Sequence, residues 1–228
     1  MAISDLDIAR GTASGKESGI LYGFTKDIQA DWSDVWPASS IISWQTAATL
    51  VSVSSTHAAD TAAGDGCRSV RITGLDSAGA EQTEVIATAG VAQADSVLLY
   101  LRVNKCEAVD VGTYGATHQG NITCRVKGAP PQDIFSLMTG KDPGVVNDNV
   151  NYGSGVAGNG FFSVPAGKAM YITGGRLVGR YNQGSVDALH VSLMHRPEIL
   201  NVTAPFRAAQ EIWSTNGQSI KSSGDVFD

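Results

Sequence analysis

Charge is scarce in this chain, aromatic side chains are scarcer, and long apolar runs are missing. Only 17% of the 228 residues are Asp, Glu, Lys or Arg and 7% are Phe, Trp or Tyr, where an average soluble domain carries about 25% charged residues. With 43% hydrophobic residues the low charge excludes wholesale disorder, which needs few apolar and many charged groups. Sixteen Lys and Arg stand against 22 Asp and Glu, a net charge of −6. No run of basic residues occurs, which argues against a phosphate-neutralising nucleic-acid surface. The longest apolar stretch, Val97-Leu98-Leu99-Tyr100-Leu101, falls far short of the roughly 20 residues of a membrane span. Met1-Ala2-Ile3-Ser4-Asp5-Leu6-Asp7 carries acid where a secretory signal would carry base, so no such signal is expected. Cys67, Cys106 and Cys124 are odd in number and never spaced C-x-x-C, which points to neither a disulfide framework nor a zinc site but to free thiols in a reducing cytosol.

What is abundant is turn and strand material. Glycine occurs 26 times and proline seven, and at this length a chain removes roughly 70% of its unfolded surface from water, so it needs no disulfide or metal to hold a core. Residues 1–40 show neither helical nor strand period and carry isolated large side chains, Leu21, Tyr22, Phe24, Trp32 and Trp36. They read as an extended N-terminal arm whose aromatics dock in a pocket on another surface, that of another subunit included, or equally as an irregular first strand and loop. From residue 41 to 228 short alternations interrupted by turns take over. Leu50-Val51-Ser52-Val53 reads as a strand and residues 61–66 as a loop. Ser69-Val70-Arg71-Ile72-Thr73, a turn through residues 74–79 and a return from Glu81 to Ala87 form the clearest hairpin. Leu99, Leu101 and Val103 alternate with Tyr100, Arg102 and Asn104, predicting a half-buried strand, and Ile122, Cys124 and Val126 repeat the pattern against Thr123, Arg125 and Lys127. That places the Cys124 thiol in the core as a small apolar group.

Pro130-Pro131 breaks the series, and residues 130–160 read as a long loop insertion of the kind that serves function or interfaces. Within it Ile134-Phe135-Ser136-Leu137-Met138 fits a helical turn or a short strand. Alternation resumes at Phe162-Ser163-Val164, at Met170-Tyr171-Ile172-Thr173 and at Leu189-His190-Val191-Ser192-Leu193, with His190 opposite the leucines. Ala208 to Trp213 suits a helix or a strand, and Asn159-Gly160 and Asn216-Gly217 suit tight turns. Repeated strands without intervening helices predict an all-β fold, an antiparallel β-sandwich of jelly-roll type.

The chemical motifs fail on context. Gly153-Ser154-Gly155-Val156-Ala157-Gly158 satisfies G-x-G-x-x-G, but no strand feeds it and Asn159-Gly160 follows it, so a flexible loop is expected instead of a dinucleotide site. Gly11 to Lys16 is one residue too short for a P-loop, and Glu17 stands where Ser or Thr would meet magnesium. His57, His118, His190 and His195 lack metal-ligand spacing, and no G-x-S-x-G elbow occurs. Asp142, Asn147, Asp148, Asn149 and Asn151 offer oxygens that calcium accepts, yet without the glycine and glutamate of an EF-hand loop, so a polar turn-rich loop is favoured. Asn121 and Asn201 begin glycosylation sequons that have no meaning without secretion. Trp32, Trp36, Trp44 and Trp213 suit a core or subunit interface better than glycan stacking. No catalytic, cofactor or metal residues are assigned, and no enzymatic activity is expected.

Two stretches are familiar in company. Residues 56–75, THAADTAAGDGCRSVRITGL, followed by DSAGAEQTEVI to Ile86, resemble a segment of tailed-bacteriophage virion proteins in which a DTAAGTGARTV loop leads into GLDANGNE and TETV. Phe162 to Ile172, FSVPAGKAMYI, is similar to the YTVPAGKTAYLT strand pair of the same group. Leu99-Tyr100-Leu101-Arg102-Val103-Asn104 is similar to its SFLRVNR strand. The resemblance covers about half the chain in the right order; the excursion at 130–160 and the part after Pro197 depart from it. It implies a virion structural protein made in the host cytoplasm. A capsid decoration or cement protein is the favoured member, homotrimeric and bound to the major capsid protein or other virion proteins, without nucleic acid, membrane or cofactor. A tail, neck or head-fibre component with receptor or glycan binding is the alternative.

Overall fold

The computed structural model describes residues 15, 21, 23, 34–36, 42–113, 118–127, 132–138, 155 and 157–170, together with the backbone of residues 189–195 and 207–214. Every regular element among them is a strand. In chain order these are β1 (Val51–Ser55), β2 (Cys67–Leu75), β3 (Glu81–Ala87), β4 (Ala94–Asp95), β5 (Arg102–Val111), β6 (Ile122–Val126), β7 (Gln132–Leu137), β8 (Leu189–His195) and β9 (Arg207–Ser214). A four-stranded sheet has the order β4-β1-β6-β7, a three-stranded sheet the order β3-β2-β5, and β8 pairs with β9. All pairings are antiparallel.

The β2–β3 hairpin forms where the alternation predicts it, with Val70 opposite Ile86 and Arg71 opposite Val85. Its turn is built by Asp76, whose Oδ1 accepts the amides of Ala78 (2.8 Å) and Ala80 (2.9 Å), and by Gly79 at φ 77°, a left-handed geometry that glycine adopts without strain. One apolar cluster draws on the two larger sheets together: Val51 and Val53 from β1, Val70 and Ile72 from β2, Ile86 from β3, Cys106 from β5, Cys124 from β6 and Phe135 from β7. The inward set on β6 is the predicted one. Residues 134–137 resolve as strand, since β7 pairs with β6 along its length, and Met138 follows its end; residues 208–213 lie in β9.

Four expectations need correction. The segment around residue 101 is not half-buried: Tyr100, Leu101, Arg102, Val103 and Asn104 are all buried, while Leu99 is exposed. Both faces are covered because Gln45 and Trp44 lie against Arg102 and Ser163 lies against Asn104. Residues 162–164 join no ladder; they pack beside β5 through a reciprocal pair, Asn104 Nδ2 to the Ser163 carbonyl (2.7 Å) and Ser163 N–H to Asn104 Oδ1 (2.8 Å). Asn159-Gly160 makes no tight turn. Asn159 is buried with its Nδ2 on the Ile134 carbonyl (2.6 Å), and Gly160 N–H meets the Val35 carbonyl (2.7 Å). Gly155, Ala157 and Gly158 are buried, and the backbone of Gly155 and Ala157 bonds to Ala108 and Cys106 of β5. Of the stretch read as a flexible glycine loop, the described residues belong to no regular element, but Gly155 and Ala157 are strapped to the β5 edge. Much of the proposed arm and of the 130–160 excursion lies outside the described residues, as do Trp32, residues 171–173, Asn201, Asn216-Gly217 and the residues from Asp142 to Asn151. Trp36, inside the arm, is 4% exposed within its own chain.

Candidate functional site

The most elaborate polar constellation centres on Asp60, in the loop between β1 and β2. Its side chain is fully buried, which is costly for a carboxylate unless donors replace its water. Four do. Oδ1 accepts the amides of Cys67 (2.8 Å) and Gln119 (2.9 Å), and Oδ2 accepts the Ser55 hydroxyl (2.5 Å) and the Gly120 amide (2.8 Å). Burial pushes the Asp60 carboxyl up, but the donors from Gln119, Ser55, Gly120 and Cys67 outweigh it and hold it below its ordinary value. The backbone of Asp60 adds a bond from its carbonyl to the Gly90 amide (2.7 Å). Three loops, 56–66, 88–90 and 118–121, are thereby tied to one residue. The approach is close enough that a Cβ on Gly66 would lie 2.0 Å from Asp60 Oδ1.

His118 and Ser55 complete a set that has the letters of a catalytic triad without its geometry. Ser55 Oγ donates to the carboxylate, and His118 Nδ1 pairs with the Gly120 carbonyl (2.8 Å), not with the serine. With Nδ1 as donor, Nε2 is left as a buried lone pair with no partner. Burial lowers the His118 pKa, opposed by the Gly120 carbonyl and the Asp60 charge. A ring held this way neither activates the hydroxyl nor meets solvent. All four contacts of the carboxylate go to donors of the chain itself, so its chemistry is that of a latch between loops.

The other singled-out residues separate cleanly. His57 is exposed and its Nδ1 accepts the Ala59 amide (3.2 Å); His190 and His195 lie on β8 and Trp213 on β9, with side chains outside the described residues. The three cysteines are free and buried. Burial pushes Cys67 up to about 11 and Cys124 up to about 12, and Cys106 well above the ordinary thiol range. Trp44 stands edge-on to Phe161 at 5.3 Å with the Arg102 guanidinium 5.4 Å from its ring centre, and Phe161 in turn meets Phe135; with Trp36 buried, these two tryptophans serve packing. Asn121 lies just ahead of β6, and Gly15 alone of residues 11–16 is described. Among the described residues, no group of three His, Cys, Asp or Glu side chains is placed to hold a metal ion, and no helix is long and apolar enough to cross a membrane.

Sequence reasoning singled out nothing at Asp60, which stands one residue ahead of the segment read as a loop, 61–66. The available signal was its setting: Ala58, Ala59, Ala62, Ala63, Gly64 and Gly66 crowd around it, and small residues are what let several backbones converge on one carboxylate. Comparison with known protein families, characterised proteins and solved structures finds no match to this chain.

Proposed function

We propose that this chain is a structural protein of a tailed-bacteriophage virion, a decoration or cement protein that stabilises the capsid shell by contacts between its subunits and the major capsid protein. The observation that carries the reading is how the three virion-like stretches meet. Residues 69–75 pair with residues 102–110 in the β2–β5 ladder. Leu101 N–H bonds the Leu75 carbonyl (2.8 Å), Asn104 and Ser163 bond reciprocally, and Ala166 N–H bonds the Gly79 carbonyl (2.8 Å). Segments that resemble one group separately thus form one continuous region, which favours a shared architecture over three chance likenesses. Asp60 itself lies inside the first of them, with its partner Cys67.

On this reading the two larger sheets form a sandwich of jelly-roll type, with an N-terminal arm and a long excursion available for contacts with neighbours. The passages β1 to β2, β3 to β4, β4 to β5 and β5 to β6 each change sheet, and such crossings support a Greek-key sandwich. The protein is made in the host cytoplasm, assembles as a homotrimer suited to a local threefold axis and resides on the virion. The net charge of −6 favours a protein shell over packaged genome as its partner. Among the described residues nothing favours the receptor-binding alternative: Trp36 and Trp44 are engaged within the chain. Quantitative mass spectrometry of purified virions tests the reading. Hundreds of copies per particle, with rebinding of purified protein to expanded but not immature shells, support decoration; about a dozen copies would move the protein to the neck or tail.

A further inference from the structure

Asn159 and Gly160 sit where three segments meet. Asn159 is 2% exposed; its Nδ2 donates to the Ile134 carbonyl of β7 (2.6 Å), while its Oδ1 is buried with no partner. Gly160 donates its N–H to the Val35 carbonyl (2.7 Å). Just ahead of the pair, Ala157 N–H bonds the Cys106 carbonyl (2.9 Å) and Ala108 N–H bonds the Gly155 carbonyl (2.7 Å), so the junction also closes the strap on β5. Both letters of the pair are demanded locally. The Ile134 carbonyl needs a donor at residue 159, which asparagine supplies and an ionised aspartate does not. A Cβ on Gly160 would lie 3.0 Å from Val35 Cβ, and a Cβ on Gly23 would lie 2.5 Å from Gly160 Cα, so the backbones cross too closely for a side chain.

The same two letters are chemically labile together. In an unrestrained Asn-Gly sequence the glycine amide nitrogen, its proton taken by hydroxide, attacks the asparagine Cγ with no side chain in its way. The N–Cγ bond forms, the Cγ–Nδ2 bond breaks and ammonia leaves with a proton from water; water then opens the succinimide at either carbonyl to give aspartate or isoaspartate. In the folded chain every participant is held. The proton of the nucleophile is on the Val35 carbonyl, the leaving nitrogen is on the Ile134 carbonyl, and the carboxamide is closed to water and hydroxide. The product is also the wrong group for the site. Oδ1 already finds no donor there, so a carboxylate would be buried with one oxygen against the Ile134 carbonyl and the other unanswered, which is costly. We propose that Asn159-Gly160 is a deamidation site gated by the strap: closure protects the asparagine, and conversion before closure keeps the strap from closing. Copies that stay open are thereby marked, irreversibly, by one added negative charge. The inference does not depend on the virion reading.

Peptide mass mapping and amide hydrogen exchange on the full chain test both halves. Held at mildly alkaline pH, the folded parent should convert Asn159 at least about tenfold more slowly than the same chain in urea, with Asn216-Gly217 in the same digest calibrating the denatured rate. Equal rates in the two conditions overturn the protection. In Asn159→Asp the amides of Ala108 and Ala157 should exchange at least about tenfold faster than in the parent, with those of the β2–β3 hairpin unchanged; parent-like exchange at both overturns the block on closure. Parent protein aged in urea and then refolded gives the same reading without a variant. Chains with acid at residue 159 should collect in the aggregate, or exchange fast at Ala108 and Ala157 if they stay soluble; soluble converted chains with parent-like exchange overturn the proposal.

Discussion

Two carboxylates in the three-stranded sheet and its loops illustrate opposite uses of the same group. Asp60 is fully buried and answered by four neutral donors. Glu107 sits on the outer face between Arg71 (3.1 Å) and Lys105 (2.7 Å), both about half exposed. Full charges surround the second and none touches the first, yet the first holds more of the fold. Water competes for the surface pair and screens it, whereas nothing replaces the donors of Asp60 once it is gone. The number and burial of the groups left unpaired decide the energetics, not the formal charge.

Asp60→Ala puts that comparison at greatest risk. It strands the amides of Cys67, Gln119 and Gly120, and at about 1–3 kcal/mol for each unsatisfied buried group, with partial relaxation, a loss of about 3–5 kcal/mol is expected in urea unfolding. A loss below about 1 kcal/mol would show that the loops hold without the latch. Acid attacks the same region. His118 has a folded pKa below its ordinary 6.5, so the folded state binds fewer protons than the unfolded one and stability begins to fall as pH drops below 6.5. The Asp60 contribution is present above 3.8 and disappears as pH falls through its lower folded value. A pH series of unfolding midpoints should therefore decline in two stages, and His118→Gln should remove the earlier one; a single stage in both proteins would contradict the assignment.

A smaller effect of opposite sign tests the rule on a neutral group. The Tyr100 hydroxyl is buried without a partner, and burial raises its pKa. Tyr100→Phe removes an unsatisfied group without leaving one behind, so it should be neutral or stabilising by up to about 1 kcal/mol in the same denaturant assay; destabilisation by that amount would reveal a partner. Smallest of all, Glu107→Gln should cost under about 1 kcal/mol, and less still in high salt. A larger, salt-independent loss would erase the contrast with Asp60.

The same distinction explains what could be read in the sequence. β2, β3 and β6 were legible because one face is dry and one wet, which writes period two into the residues. Around residue 101 the rule failed for a physical reason: Arg102 and Asn104 are polar and alternate as outward residues do, but distant segments, Trp44 with Gln45 and Ser163, cover them. The small residues around Asp60 hint at a close approach but do not name its partners, because two of its donors, Gln119 and Gly120, lie 59 and 60 residues away, and no local pattern records a partner at that distance. Asn159-Gly160 has the letters of a hairpin turn, but Asn159 is taken up by the carbonyl of Ile134.

The strap also sets a timetable. During synthesis the β5 strand leaves the ribosome well before Gly155 and Ala157, the residues whose backbone completes it. At about 5–20 residues per second the interval lasts on the order of seconds. Throughout it the nascent sheet has bare edges on both sides, not one. A chaperone that attends this protein would be needed most in that interval, and its hold should end when the strap arrives.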